Sequence, residues 1–232
     1  MNPQPAPSVT DGHPITPAIL LVMTSVTGIV DAVSYLALGH VFTANMTGNV
    51  VLLGFAAAGV KSLSAARSLA ALFFFFAGAV FGGGVSMPQT PWPLLVETVL
   101  LLLASMAALL PDHNLSVYCV IAITAVAMGY RNAVVRKIGL PDLTTTVLTL
   151  TITGLGADSR WAGGENPRWR RRIAAILALV TGAFAGAELV SLSTALALMV
   201  AALITGSCAV TAFRLHQKEI QQQRSGLRPD SF

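Results

Sequence analysis

Charge is what this chain has least of. Only 10% of its 232 residues are Asp, Glu, Lys or Arg, against about a quarter in an ordinary soluble domain. That shortage excludes a soluble globular protein, a free-standing nucleic-acid module and a charged disordered chain. Cysteine is nearly absent too. Cys119 and Cys208 lie far apart inside apolar stretches, with no CxxC pair and no Cys/His cluster, so they read as small packing residues rather than a zinc or redox centre. No GxSxG, HExxH, P-loop or dinucleotide fingerprint occurs. The serines of the apolar stretches have no His or Lys at a suggestive spacing. The expectation is therefore a protein that is not an enzyme and that carries no cofactor and no metal. Residues 1–15 contain no Lys or Arg, so the basic start of a secretory signal is missing. They read as a disordered tail.

What the chain does have is apolar sequence. It is 54% hydrophobic with a mean hydropathy of +0.72, which identifies an all-α integral membrane protein whose first partner is the lipid bilayer. Eight apolar segments run at 17–38, 46–60, 67–86, 93–110, 116–135, 143–157, 173–189 and 191–213. Crossing the hydrocarbon takes roughly 17–25 helical residues. The second and sixth segments fall short of that, at about 14–15 residues each.

The two short segments hold the same place in each half of the chain, and the halves align. Gly28-Ile-Val-Asp31-Ala32 matches Gly129-Tyr-Arg-Asn132-Ala133. The run from Thr43 to Asn49 matches the run from Thr145 to Thr151. Arg67, Gly78 and Gly82 match Arg171, Gly182 and Gly186. The pattern predicts two internal repeats of about 100 residues each. Repeat one is 16–111 and repeat two 112–213, together forming one membrane domain over 16–213, followed by a polar basic tail at 214–232. Crossing by both short segments makes eight spans and parallel halves. A dip and return by both makes six spans and inverted halves. Length favours six full transmembrane helices plus two short, half or re-entrant helices.

The 14 Lys and Arg exceed the 10 Asp and Glu by four. They concentrate at Arg168 and Arg170–Arg172 and in the tail at Arg214, Lys218, Arg224 and Arg228. Lys and Arg near spans resist translocation, so the excess predicts orientation, not nucleic-acid binding: a multi-pass protein of the bacterial inner membrane with a cytoplasmic C-terminus. With the C-terminus inside, the inverted arrangement leaves only Lys61 and Arg67 outside. The parallel one leaves Arg131, Arg136 and Lys137 there.

Polar groups in hydrocarbon are costly and mark function or internal glue. Asp31 lies past the middle of the first span, and its mate is the neutral Asn132. Around the short segments stand Asn45, Thr47, Gly48 and Asn49 in the first half and Thr145, Thr149 and Thr151 in the second. Asn45 or Thr47 is placed to cap the short helix that follows. Two interrupted helices at matching positions point to a transporter site near the bilayer midplane, because a helix that begins there leaves amide donors free. Asp31, Asn45, Thr47, Gly48, Asn49, Asn132, Thr145, Thr149 and Thr151 are the candidate ligand-binding residues, for an unknown small solute or ion. Glu97 and Glu188 read as carboxylates that reach an interface. Arg131 reads as snorkelling or pairing with Asp31, and Trp92 and Trp161 as members of an interfacial belt. Glycines four apart, Gly78/Gly82 and Gly182/Gly186, form flat strips for close helix packing, within the chain or between copies in a homo-oligomer.

The stretch Gly28-Ile-Val-Asp31-Ala32-Val-Ser34-Tyr35, followed by Val41-Phe42-Thr43-Ala44-Asn45-Met46-Thr47-Gly48-Asn49, resembles the signature of the YoaK-like bacterial membrane proteins grouped as DUF1275. The likeness covers roughly residues 17–213. In the second half the family pattern resembles Gly-x-Gln-Asn-Ala and Thr-Thr-x-x-Thr-Gly, where this chain has Arg131 for the Gln and Leu150 for the last Gly. The resemblance implies a multi-pass membrane protein of unknown biochemical function. From the residues, a small transporter or permease-like protein is the first reading. A scaffold or regulatory protein acting through helix–helix partners is the alternative.

Overall fold

The computed structural model describes residues 15–84, 90–139, 148–166 and 168–226. Most of the N-terminal tail, the end of the C-terminal tail and Thr145 lie outside them. The described residues form eight α-helices: α1 (Pro17–Ala37), α2 (Met46–Ala57), α3 (Ala65–Gly84), α4 (Trp92–Ala107), α5 (His113–Ile138), α6 (Leu148–Ala157), α7 (Trp169–Leu192) and α8 (Thr194–Gly226). Local chemistry sets several ends. The Thr16 hydroxyl accepts from Ile19 N at 3.4 Å, with Pro17 opening α1. Asp112 accepts from Leu115 N at 3.1 Å and starts α5. Gly139, at φ 69°, closes it, a left-handed residue that glycine adopts without strain.

Five helices, α1, α3, α5, α7 and α8, are long and apolar enough to cross a membrane. The expected sixth is shorter than the sequence suggested. α4 has 16 residues, about 24 Å of rise, because its apolar run ends in tight turns. Leu109 N bonds Met106 O at 3.0 Å and Leu110 N bonds Ala107 O at 3.2 Å, just before Pro111. α8 errs the other way. Its 33 residues make about 50 Å of helix and carry the basic tail onward as a continuous rod, since nothing breaks the helix after residue 213.

Two close crossings organise the bundle, α1 on α7 and α5 on α3. A Cβ on Gly28 would strike Leu179 O and Ala183 N, and one on Gly129 would strike Phe75 O and Ala79 N. Gly182 abuts Ser25 O as Gly78 abuts Val126 O, and Gly186 abuts Ile29 as Gly82 abuts Tyr130. Each contact in one crossing has its counterpart in the other, residue for residue. Small residues let backbones touch and gain dispersion contacts that lipid cannot replace. The glycine strips face α1 and α5 of the same chain, so they offer no free strip to a second copy.

The same contacts give helix directions. Along both crossings the residue numbers rise together, so α1 runs parallel to α7 and α3 parallel to α5. α8 runs against α1 and α4. Ile19, Leu20, Met23 and Leu94 cluster with Cys208, Ala209 and Ala212, while Val30, Val33, Leu101 and Ala104 cluster with Ala197, Leu198 and Ala201. The Ser105 hydroxyl bonds Ala195 O at 2.8 Å. α5 joins the first cluster through Tyr130, Val134 and Ile138 and the second through Val117 and Val120, so it runs opposite to α1. One end of the bundle, the basic face, therefore holds the starts of α1, α4 and α7 and the ends of α3 and α5. All three tryptophans, Trp92, Trp161 and Trp169, are exposed at or near that face. The opposite face holds the end of α1, the start of α3, Lys61 and Arg67. α1 and α5 are central, 67% and 61% buried over their apolar windows, and α3 and α7 are peripheral at 22% and 17%.

Candidate functional site between the two short helices

After α1 the chain turns back on itself. Gly39 and His40 take left-handed angles, φ 87° and 61°, and a Cβ on Gly39 would collide with the Arg67 guanidinium. Leu38, Val41 and Ala44 are buried as this irregular segment descends along α1. It reaches Asp31, whose Oδ1 accepts from Ala44 N at 3.2 Å. There α2 begins. Asn45 Oδ1 accepts from Gly48 N at 3.3 Å as its N-cap. Asn49, fully buried, accepts from Phe42 N at 2.9 Å and donates to Phe42 O, stapling the descending segment to the first turn of α2. Thr43, at the tip, is fully buried and its hydroxyl has no hydrogen-bond partner among the described residues, an uncommon condition for a buried donor.

The second short helix ends at the basic face. Arg172 Nη1 donates to Gly154 O and, at 3.0 Å, to Asn166 Oδ1. Arg172 also pairs with Asp158 at 2.7 Å, and Asn166 Nδ2 donates to Leu155 O at 3.0 Å. A cation and an amide on the last carbonyls are the favourable complement to a helix C-terminus. With its C-terminus so fixed, α6 points its N-terminus into the bundle.

The two N-termini share one cavity of about 570 Å³. α1 contributes Thr27, Asp31 and Tyr35. α2 and its cap contribute Asn45, Thr47, Gly48, Val51 and Leu52, and α6 contributes Leu148 and Thr149. Leu179 of α7 and the ring of Phe42, stacked on Tyr35 at 5.1 Å, complete the wall. Asp31 is half-buried and makes no ion pair with a described residue. The cavity thus sets one carboxylate opposite two helix starts, where amide donors and partial positive charge collect.

Of the nine residues singled out in the sequence, Asp31, Asn45, Thr47, Gly48 and Thr149 line this cavity. Asn49 lies behind it, its amide spent on Phe42. Thr151 is buried and is not part of the cavity wall. Asn132 sits at a different cavity, between α3 and α5, and donates to Met128 O of its own helix at 2.7 Å. Thr145 lies outside the described residues. Thr27 and Tyr35 were missed, although their spacing of four residues from Asp31 places all three on one face of α1.

The expectation for Glu97 and Arg131 is corrected. Glu97 does not reach an interface: it is 1% exposed, covered by α5 and α8, the two helices that pack on α4. Arg131 neither snorkels nor pairs with Asp31. Its Nε donates to Glu97 Oε1 at 2.9 Å, and its Nη1 donates to Met23 O and Thr27 Oγ1, both at 2.7 Å. One guanidinium therefore ties α5 to α4 and to α1, directly behind Thr27. Glu188, in contrast, is exposed.

The profile of a family described as "Protein of unknown function (DUF1275)" matches residues 19–211. The "UPF0700 transmembrane protein YoaK" of Bacillus subtilis (strain 168) is 36% identical over 151 residues, 60% of this chain and 64% of that protein. The chain thus spans slightly less than two thirds of that relative's length. No solved structure matches.

Proposed function

We propose that this chain, which belongs to the DUF1275 family of multi-pass membrane proteins of unknown function, is a small inner-membrane permease that binds a polar solute or ion between two inverted repeats. The observation that carries the reading is the shared cavity: Asp31 and the first turns of both α2 and α6 border one space of about 570 Å³. Paired interrupted helices whose N-termini meet inside the membrane are the arrangement secondary transporters use to bind solutes and coupling ions. Asp31 is the group for a proton, a cation or a solute ammonium, and the helix starts are donors for the solute's acceptors.

Helix directions support six crossings. α1 ends and α3 begins at the opposite face, so the segment holding α2 returns to the side it left. α5 ends and α7 begins at the basic face, so the segment holding α6 does the same. α1 and α5 run in opposite senses, which makes the matched halves inverted copies. α4 serves as the sixth crossing, its 16 helical residues extended by the turns at 108–110. Lys61 and Arg67 then stand on one side, while Arg136, Lys137, Arg160, Arg170–Arg172 and Arg214 stand on the other. By the bias of Lys and Arg toward the cytoplasm, the basic face and the C-terminus are cytoplasmic.

The test is flux and binding in proteoliposomes across a panel of small cations, amines and polar solutes, comparing wild type with Asp31→Asn. Uptake by wild type that the variant lacks supports the reading. No flux and no binding by wild type across the panel overturns it.

A further inference from the structure

A second cavity, of about 550 Å³, lies between α3 and α5 where both helices end at the basic face. Its wall is graded. Arg136, Lys137 and Gly83 stand at the rim, and Asn132, Ala133, Ala79 and Phe75 follow with depth. Arg136 is exposed and makes no hydrogen bond or ion pair with a described residue. Lys137 is exposed and donates to Gly83 O, the last turn of α3, which holds its ammonium beside the rim. The flanking surface of α3 is apolar and open, with Phe76 69%, Val80 61% and Phe81 60% exposed. The order along the helix axis is therefore cation at the membrane surface, one amide below it, and hydrocarbon wall beneath.

We propose that this cavity is a binding site for an anionic phospholipid, its phosphate at Arg136 and Lys137 and an acyl chain along Phe75, Ala79 and Ala133. A free inorganic anion would leave the apolar depth unused, and a neutral lipid would leave the exposed Arg136 guanidinium at the rim without a counter-charge. Basic pockets between transmembrane helices are places where acidic headgroups are held. The site is separate from the Asp31 cavity and does not depend on transport.

Native mass spectrometry of the full chain, released from nanodiscs of equal phosphatidylglycerol and phosphatidylcholine, tests it. Wild type is expected to retain phosphatidylglycerol preferentially, and Arg136→Gln/Lys137→Gln to lose that preference by about fivefold for each cation, the size expected of a basic residue at a charged membrane surface. Arg214→Gln/Lys218→Gln, which removes two cations elsewhere on the chain, is expected to change it little. If the first double variant does not fold, Arg136→Gln alone is read, because that side chain bonds no described residue. No preference in wild type, or an equal loss in both double variants, overturns the proposal. Displacement of the lipid by millimolar inorganic phosphate also overturns it, in favour of a simple anion site.

Discussion

The α1–α7 and α5–α3 crossings share a backbone but differ in chemistry. Gly28, Gly182 and Gly186 in one, and Gly129, Gly78 and Gly82 in the other, bring main chains into the same contacts. In the register that pairs Gly28 with Gly129, Asp31 faces Asn132, Val30 faces Arg131 and Tyr35 faces Arg136. The first crossing borders a cavity holding a carboxylate, and the second borders one rimmed by cations. Glycine thus sets the frame twice, and a few polar substitutions decide what each copy of the frame can hold.

The comparison breaks hardest at the frame. Gly182→Leu and Gly78→Leu each drive a side chain into backbone, Ser25 O in one case and Val126 O in the other. No rotamer change relieves that. Both variants are expected to lose folded protein from the membrane, to a similar degree, as measured by monodisperse yield and thermal unfolding in detergent. Survival of either one intact would separate the two crossings. Gly28→Ala and Gly129→Ala are milder versions, expected to cost about 1–3 kcal/mol each by overpacking.

Next comes the feature that only the second crossing has. Removing one member of a buried ion pair strands the other, at a cost of roughly 3–5 kcal/mol. Glu97→Ala and Arg131→Ala are therefore expected to lower thermal stability strongly. Glu97→Met/Arg131→Met should lose less than either, because no charge remains buried. A double variant worse than both singles would contradict this account of the pair.

Exchanging the polar residues of the two crossings probes chemistry without the frame. Asp31→Asn makes the first crossing resemble the second, and its lost acceptor charge leaves the Ala44 N bond with a neutral partner. It is expected to fold and to lose uptake by tenfold or more, about 1.4 kcal/mol in the rate-limiting barrier. The smallest effect is expected for Asn132→Ala. Its amide donates to Met128 O of its own helix, away from the Asp31 cavity, and uptake should change by less than about twofold, under 0.5 kcal/mol.

Much of the fold was legible because its causes are local. Apolar length marked the helices, and the glycines four apart marked the close helix contacts. Asp31 with Asn45, Thr47 and Gly48 was legible for the same reason: an acid in a span and a capping run after it are short-range signals. Other features were not. Glu97 sits one turn into its helix, where sequence suggests an interface. What buries it is the packing of α5 and α8 on α4, which no local pattern records. Asn49 looks like a ligand group until its distance to the Phe42 peptide is known. Asn132 aligns with Asp31, yet α1 and α5 run in opposite senses, and the two residues border different cavities.

The return of each short helix to the face it came from is the claim on which the site depends. Single cysteines at Ser62, His113 and Lys137, in a chain lacking Cys119 and Cys208, test it by labelling with a membrane-impermeant maleimide from each side of oriented vesicles. Labelling of positions 62 and 113 from the side opposite the C-terminus, and of 137 from the side that exposes the C-terminus, is the predicted result. Labelling of 62 and 113 from the side that exposes the C-terminus, with 137 on the far side, would mean that the short helices cross, and the account would fail.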